Sequence, residues 1–139
     1  MQGSTMETAS ITTRYGYRKK LGIAYQAAVK RAREELQKQG FGVLTEIDVK
    51  ETLKKKLGVE FGNYIILGAC NPPFAYEALK SEQEIGLMMP CNVIVYEKQG
   101  KVYVSAVLPT AAMSMIENPK LMKIAQEAEM KLKAVVDGI

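Results

Sequence analysis

Asn92-Val93-Ile94-Val95-Tyr96-Glu97-Lys98-Gln99-Gly100-Lys101-Val102-Tyr103-Val104-Ser105-Ala106-Val107-Leu108 is the stretch on which the fold turns. Two runs rich in Val, Ile and Tyr, residues 92–97 and 101–108, flank Lys98-Gln99-Gly100. β-Branched and aromatic side chains pack well on a pleated surface, and a short glycine-bearing connection reverses the chain. The stretch therefore predicts an antiparallel hairpin. Upstream, residues 63–69 form an apolar run of strand length, in which Ile65 and Leu67 alternate with Tyr64, Ile66 and Gly68. That strand is apolar on both faces, so both faces should be covered.

Further out, residues 42–48 alternate, with Val43, Thr45 and Ile47 expected on one side and Leu44, Glu46 and Asp48 on the other. Residues 11–17, rich in Thr and Tyr, predict a first strand. Leu21, Tyr25, Ala28, Ala32 and Leu36 recur at helical spacing up to Gly40. No Ser, Thr or Asp caps that helix near Lys19-Lys20, and the two cations oppose its dipole. Asp48 with Glu51 forms a capping-box pattern for a short helix that Gly58 stops. Asn71-Pro72-Pro73 opens a second short helix, and Asn118-Pro119 opens a last one with Leu121, Ile124, Ala125, Ala128, Leu132 and Val136 on its apolar face. The expected architecture is α+β: strand, long helix, four antiparallel strands, long helix, with both long helices on one face of the sheet. One domain is expected over residues 9–139, after a flexible tail over residues 1–8. A single helical layer leaves the second sheet face open, which points to a homodimer or to a ligand pocket against that face.

Composition bounds the function. The 139 residues are 47% hydrophobic and 24% charged, a globular balance with enough chain to bury a core without disulfides. The net charge is +4, but the cations are interleaved with acids, as in Arg31-Ala32-Arg33-Glu34-Glu35, and the only dense run is Lys54-Lys55-Lys56. That balance is too weak to argue for nucleic acid by itself, and no nucleic-acid partner is expected. No apolar stretch reaches membrane-spanning length and the start lacks a signal-peptide core, so a cytoplasmic chain with free thiols is expected.

There is no histidine, which closes most routes to acid–base catalysis. Against that absence stand two cysteines, Cys70 and Cys91, each at a strand end beside proline. Cys70 precedes a helix N-terminus, whose unpaired N–H groups and partial positive charge favour a thiolate. It is a candidate nucleophile or persulfide carrier, and equally a small residue that packs a strand end. Cys91, on the face of Val93 and Val95, is its candidate partner. If the two Cα atoms lie within about 7 Å, a dithiol or disulfide is feasible. Glu46, Asp48, Lys56 and Asn71 are the candidate polar anchors of a ligand site near the thiols; Asp48 and Asn71 also read as helix caps. Without C-x-x-C spacing or histidine, no metal and no cofactor is expected. Met113 and Met115 read as apolar filler beneath the last helix.

The segments Gly40-Phe41-Gly42-Val43-Leu44-Thr45-Glu46-Ile47-Asp48, Lys56-Leu57-Gly58, Ile66-Leu67-Gly68-Ala69-Cys70-Asn71-Pro72 and Met89-Pro90-Cys91-Asn92-Val93 resemble the family called domain of unknown function 302, over roughly residues 9–137. The resemblance implies a fold similar to that of the TATA-binding protein, and association as dimers. It implies no activity. Met89 departs from the leucine usual in that family before Pro-Cys, a nearly volume-conserving change. The functional expectation is a small-molecule-binding or accessory homodimer with a pocket at the Cys70 and Cys91 strand ends; the alternative is a thiol or sulfur-transfer protein using Cys70.

Overall fold

The hairpin forms as read and sits within a six-stranded, fully antiparallel sheet. The structure, a computed structural model, describes residues 9–139; the expected tail at 1–8 lies outside the described residues. The strands are β1 (Ser10–Thr12), β2 (Gly16–Leu21), β3 (Gly42–Asp48), β4 (Tyr64–Cys70), β5 (Cys91–Lys98) and β6 (Lys101–Val107). Their order across the sheet is β1-β2-β6-β5-β4-β3. Lys98 pairs with Lys101, so the turn is Gln99-Gly100 alone. Both turn residues have positive φ, 52° and 77°, the backbone that matches a two-residue reversal to the twist of its strands.

Between the strands lie α1 (Tyr25–Lys38), α2 (Val49–Leu57), α3 (Pro72–Ser81), a 3-10 turn (Gln83–Met88), the single turn α4 (Pro109–Ala112) and the long α5 (Pro119–Asp137). The caps read from the sequence are in place. Asp48, Asn71 and Asn118 accept hydrogen bonds from the N–H groups of Glu51, Phe74 and Leu121. The Asp48 bond is 3.0 Å long and exposed. Asp48→Ala is expected to cost about 0.5–2 kcal/mol in urea unfolding, the usual worth of such a cap. A loss well below that range would mean that α2 holds its first turn without it.

Helices α1 and α5 cover one face. Ala28, Ala32 and Leu36 of α1 and Leu132, Val135 and Val136 of α5 pack on Ile65, Leu67, Val93, Val95, Val102 and Val104. A second cluster, built by Ala78, Ile85, Met113, Leu121 and Ala125, joins α3, the 3-10 turn and the first half of α5 beyond the sheet's end. On the other face, the buried sheet positions are glycines, Gly16 and Gly68; its side chains are half-buried or exposed.

Two expectations are corrected. The first strand does not end at Tyr17. Residues 10–21 form a hairpin, and Arg18-Lys19-Lys20 lie within β2, while α1 begins only at Tyr25 after an Ala24 that offers no side-chain cap. Lys19 is thus no cation at a helix start. It is 9% exposed, and its Nζ donates to the carbonyls of Asp137 and Ile139 at the end of α5. Its charge finds carbonyl acceptors there, which offsets the burial. The second correction is in β3. Val43 pairs with Ala69 and Thr45 with Gly68, so Leu44 is an extra bulged residue. The bulge moves Val43 onto the helix-covered face with Glu46 and Asp48, and leaves Thr45 and Ile47 on the open one.

Thr45 explains the neighbouring glycine. A Cβ on Gly68 would collide with Thr45 Oγ1 and lie 2.8 Å from Pro90 Cγ. Gly68→Ala is expected to destabilise by about 1–3 kcal/mol, as overpacking does. Adding Thr45→Ala should recover part of the loss but not all, because Pro90 remains. Equilibrium unfolding of the four members of that cycle checks this.

Candidate functional site

Where β4 ends and β5 begins, the register places Ala69 opposite Cys91 and Cys70 opposite Gly42. Cys70 and Cys91 are therefore diagonal neighbours on adjacent strands, with Cα atoms about 6 Å apart by strand spacing and rise. Their Cβ atoms start from positions of opposite parity. Cys91 belongs to the helix-covered face with Val93 and Val95, and Cys70 to the open face with Gly68. The distance allows a disulfide but the diverging Cβ directions disfavour one, and both thiols are free.

Beyond these strand ends the two apolar clusters do not quite meet. The gap is a small cavity of about 50 Å3, floored by Ala69, Cys70 and Cys91 and roofed by Phe74, Ala75 and Ala78 of α3. Phe41, Met89, Met113 and Ile124 complete its walls. Asn71 lines it as well, yet both ends of its amide are engaged. Its Oδ1 accepts from Phe74 N–H, and its Nδ2 donates to the Gln39 carbonyl at 3.3 Å, tying the start of α3 to the end of α1. Glycine is needed at that junction: Gly40 has φ +83° and ends α1 while the Phe41 N–H returns to the Leu36 carbonyl.

The walls are almost wholly apolar, and this sets the electrostatics. Burial pushes the Cys91 thiol up from 9.0 to about 11, and negative charge on Cys70 adds to the shift. Cys91 thus stays protonated at neutral pH.

The structure separates the remaining candidates from the thiols. Glu46, Asp48 and Lys56 do not line the cavity. Glu46 pairs with Arg33 of α1. Asp48 caps α2, and Lys56 is exposed on that helix. The proximity that the sequence suggested for this group breaks at the Leu44 bulge and at the turn into α2. Phe41, Phe74, Met89, Met113 and Ile124 come from segments far apart in the chain and were not singled out as site residues. Met113 is only 7% exposed, so its reading as filler was locally reasonable. Among the described residues, no three His, Cys, Asp or Glu side chains group to hold a metal ion.

The open sheet face carries the other arrangement of note. Tyr64 stacks on Tyr96 with ring centroids 5.4 Å apart, and Tyr96 on Tyr103 at 5.1 Å. The Arg18 guanidinium lies 5.9 Å from the Tyr103 ring. Burial raises the Tyr64 phenol above its ordinary range, with Tyr96 and Tyr15 adding to the shift. Ile66 and Ile94 stand half-buried beside this row, and Ile47 is 47% exposed. Among the described residues, no helix is long and apolar enough to cross a membrane.

A family model described as "Domain of unknown function DUF302" matches residues 17–139. The crystal structure of an uncharacterised conserved DUF302 protein from Bacillus stearothermophilus is similar, with 31% sequence identity and a TM-score of 0.84. The match covers 90% of this chain and 98% of that one. No curated protein matches the chain.

Proposed function

This chain belongs to the DUF302 family, and from that premise we propose that it is a small-molecule-binding or accessory protein that works as a homodimer, with its ligand site in the cavity at the Cys70 and Cys91 strand ends. One observation carries the reading: the cavity gathers both cysteines of the chain, with Asn71, beneath α3. It has no acid–base constellation around it, which suits binding better than catalysis. Its size limits the ligand. Pockets for drug-sized molecules measure about 300–1,000 Å3, whereas about 50 Å3 takes a ligand of very few atoms. The dimer rests on the open face, where half-buried isoleucines and a row of stacked tyrosines have no covering layer among the described residues.

A second reading draws on the same cavity. One additional sulfur atom is a ligand of suitable size. In that case a Cys70 thiolate attacks the terminal sulfur of a donor R–S–SH. The donor S–S bond breaks, R–S⁻ leaves, and Cys70 carries –S–SH. Native mass spectrometry on fresh protein, with and without reductant, separates the two. A dimer of unmodified chains is expected from the first reading, and a reducible adduct of about 32 Da, one sulfur, on Cys70 from the second. A monomer at micromolar concentration would overturn the dimer. The cavity itself is checked by thiol chemistry. Iodoacetamide should reach Cys70, and Ala75→Leu, which fills the space, should slow it. Thiols that are inert to small and bulky reagents alike would remove the site. Cys70→Ser should leave stability nearly intact; a large loss would make Cys70 a packing residue.

A further inference from the structure

We propose that the open face of the sheet binds a small organic anion, a carboxylate on an apolar body, in a groove between Tyr15 and Tyr96, with Arg14 and Arg18 holding the carboxylate. This groove shares no lining residue with the cavity at the strand ends, so the inference stands apart from the reading of that cavity. The strand register builds it. Tyr64, Tyr96 and Tyr103 are paired across β4, β5 and β6 and form a row of rings. The next row on the same face is Ile66, Ile94 and Ser105, and it ends in Arg18 on β2. The last row is Gly68, Asn92, Val107 and Gly16, so the face steps down away from the rings. Beyond it the turn between β1 and β2 carries Arg14 and Tyr15. That turn is tied down. Thr13 N–H donates to the Gly16 carbonyl, Gly16 N–H to the Thr13 hydroxyl, and Leu108 N–H to the Tyr15 carbonyl. The groove measures about 550 Å3, within the range of small-molecule sites. It lies over β2, β5 and β6, whereas Ile47 and Ile66, which support the dimer, lie on β3 and β4.

Charge selects the ligand. The chain has 15 Asp and Glu residues, yet none of them lines this groove. The acids within the strands are Glu46, Asp48 and Glu97, and the register gives all of them to the helix-covered face. Arg14 and Arg18 have no carboxylate partner among the described residues. The Arg18 guanidinium lies 5.9 Å from the Tyr103 ring centroid, a contact that orients it without using its N–H donors. Those donors suit the two oxygens of a carboxylate. The rings act in the same sense. Tyr96 has Tyr64 stacked on one side and Tyr103 on the other, so it offers the groove its edge. The edge is the positive part of an aromatic ring and favours an anion. The same stacking disfavours single-stranded nucleic acid, whose bases need free ring faces. Ile94 and Val107 supply the floor for the apolar body, and Ser105 and Asn92 add polar groups beside it.

The test is titration of the full chain with naphthoate and with octanoate, read by saturation-transfer NMR, with tyrosine emission as a second readout for octanoate. Emission is a native reporter, because the chain has no tryptophan and Tyr15, Tyr64, Tyr96 and Tyr103 all belong to this face. At least one of the two carboxylates is expected to bind saturably, one per chain. Naphthalenemethanol and octanol keep the apolar bodies without the charge and should bind at least about tenfold more weakly. Arg14→Gln and Arg18→Gln should each weaken the carboxylate by about tenfold or more, the effect of a lost charge-assisted hydrogen bond. Lys55→Gln, which removes the same charge from an exposed position on α2, should leave the affinity unchanged. Arg14 is exposed, so its variant carries the test if Arg18→Gln proves unstable. Saturable binding of neither carboxylate, equal binding of the alcohols, or full affinity in the arginine variants would overturn the proposal. So would a shift from dimer to monomer in Arg18→Gln at unchanged carboxylate affinity, because the arginine would then serve a contact between copies.

Discussion

Leu67→Ala should lower the unfolding free energy by about 2–5 kcal/mol, the range for removing a buried leucine side chain. Leu67 is 0% exposed, and it stands between Val93 on one neighbouring strand and Glu46 on the other. The loss has two parts. About three methyl or methylene groups lose their burial, each worth about 0.8 kcal/mol. The hole they leave adds a second penalty, because a sheet held by strands on both sides and helices above collapses poorly around it. The internal control is Leu44→Ala. Leu44 lies on the edge strand in the bulge and is 68% exposed, so its truncation should stay within about 0.5 kcal/mol. Urea unfolding of both variants checks the pair. Equal losses would mean that the β3 bulge is not where the register puts it, since an unbulged β3 would carry Leu44 on the opposite face of the sheet from the one it leaves to Thr45.

The contrast between these two leucines also shows how far the sequence could be read. Local patterns came through because local physics writes them. The Gln99-Gly100 reversal, the double-sided apolarity of β4, and the caps at Asp48, Asn71 and Asn118 each follow from a few adjacent residues. The misreadings share a different origin. Leu21 and Tyr25 happen to sit four apart, so the helical period ran on into β2, where Lys19 is in fact held by the carbonyls at the end of α5, more than a hundred residues away. Leu44 continues the alternation of β3 without a break, and only the partner strand reveals that it is unpaired. A charge satisfied at long range and an extra residue in one strand leave no mark on a local period.

The site divides in the same way. Cys70 and Cys91 were legible as a pair, because Cys70 closes one strand and Cys91 opens the next, each near a proline, and β4 and β5 are consecutive. The walls around them were not. Phe41 follows α1, Met113 follows α4 and Ile124 lies on α5, and only the packing of α3 and α5 beyond the sheet's end brings them to the thiols. Conversely, Glu46 and Lys56 were read as polar anchors beside a thiol pocket, yet β3 runs away from the cavity along β4.

The alkaline behaviour of Cys91 is the prediction that probes these walls most directly. Its thiol is raised to about 11 by burial, with the Cys70 charge second. A raised folded-state value means that the unfolded chain loses this proton first. The stability that Cys91 contributes is then fully present below pH 9 and is lost as the pH climbs through about 11. Between 9.0 and about 11 the difference amounts to about 2–3 kcal/mol. The raised phenols of Tyr17, Tyr25 and Tyr64, each lifted first by desolvation, act in the same direction. Unfolding of the parent and of Cys91→Ala across pH 8–11 isolates the cysteine, because the variant's packing loss is constant with pH whereas the thiol's contribution is not. The parent should lose stability more steeply above pH 9, and the two curves should converge. Reactivity gives a second view of the same proton. At neutral pH a thiol near 11 has about a hundredth of the thiolate of one near 9, and its greater intrinsic nucleophilicity returns about tenfold, so alkylation of Cys91 should run about tenfold slow and rise with pH up to about 11. Parallel stability curves, or a rate that levels off near pH 9, would mean that water solvates Cys91 and that the apolar walls do not desolvate it.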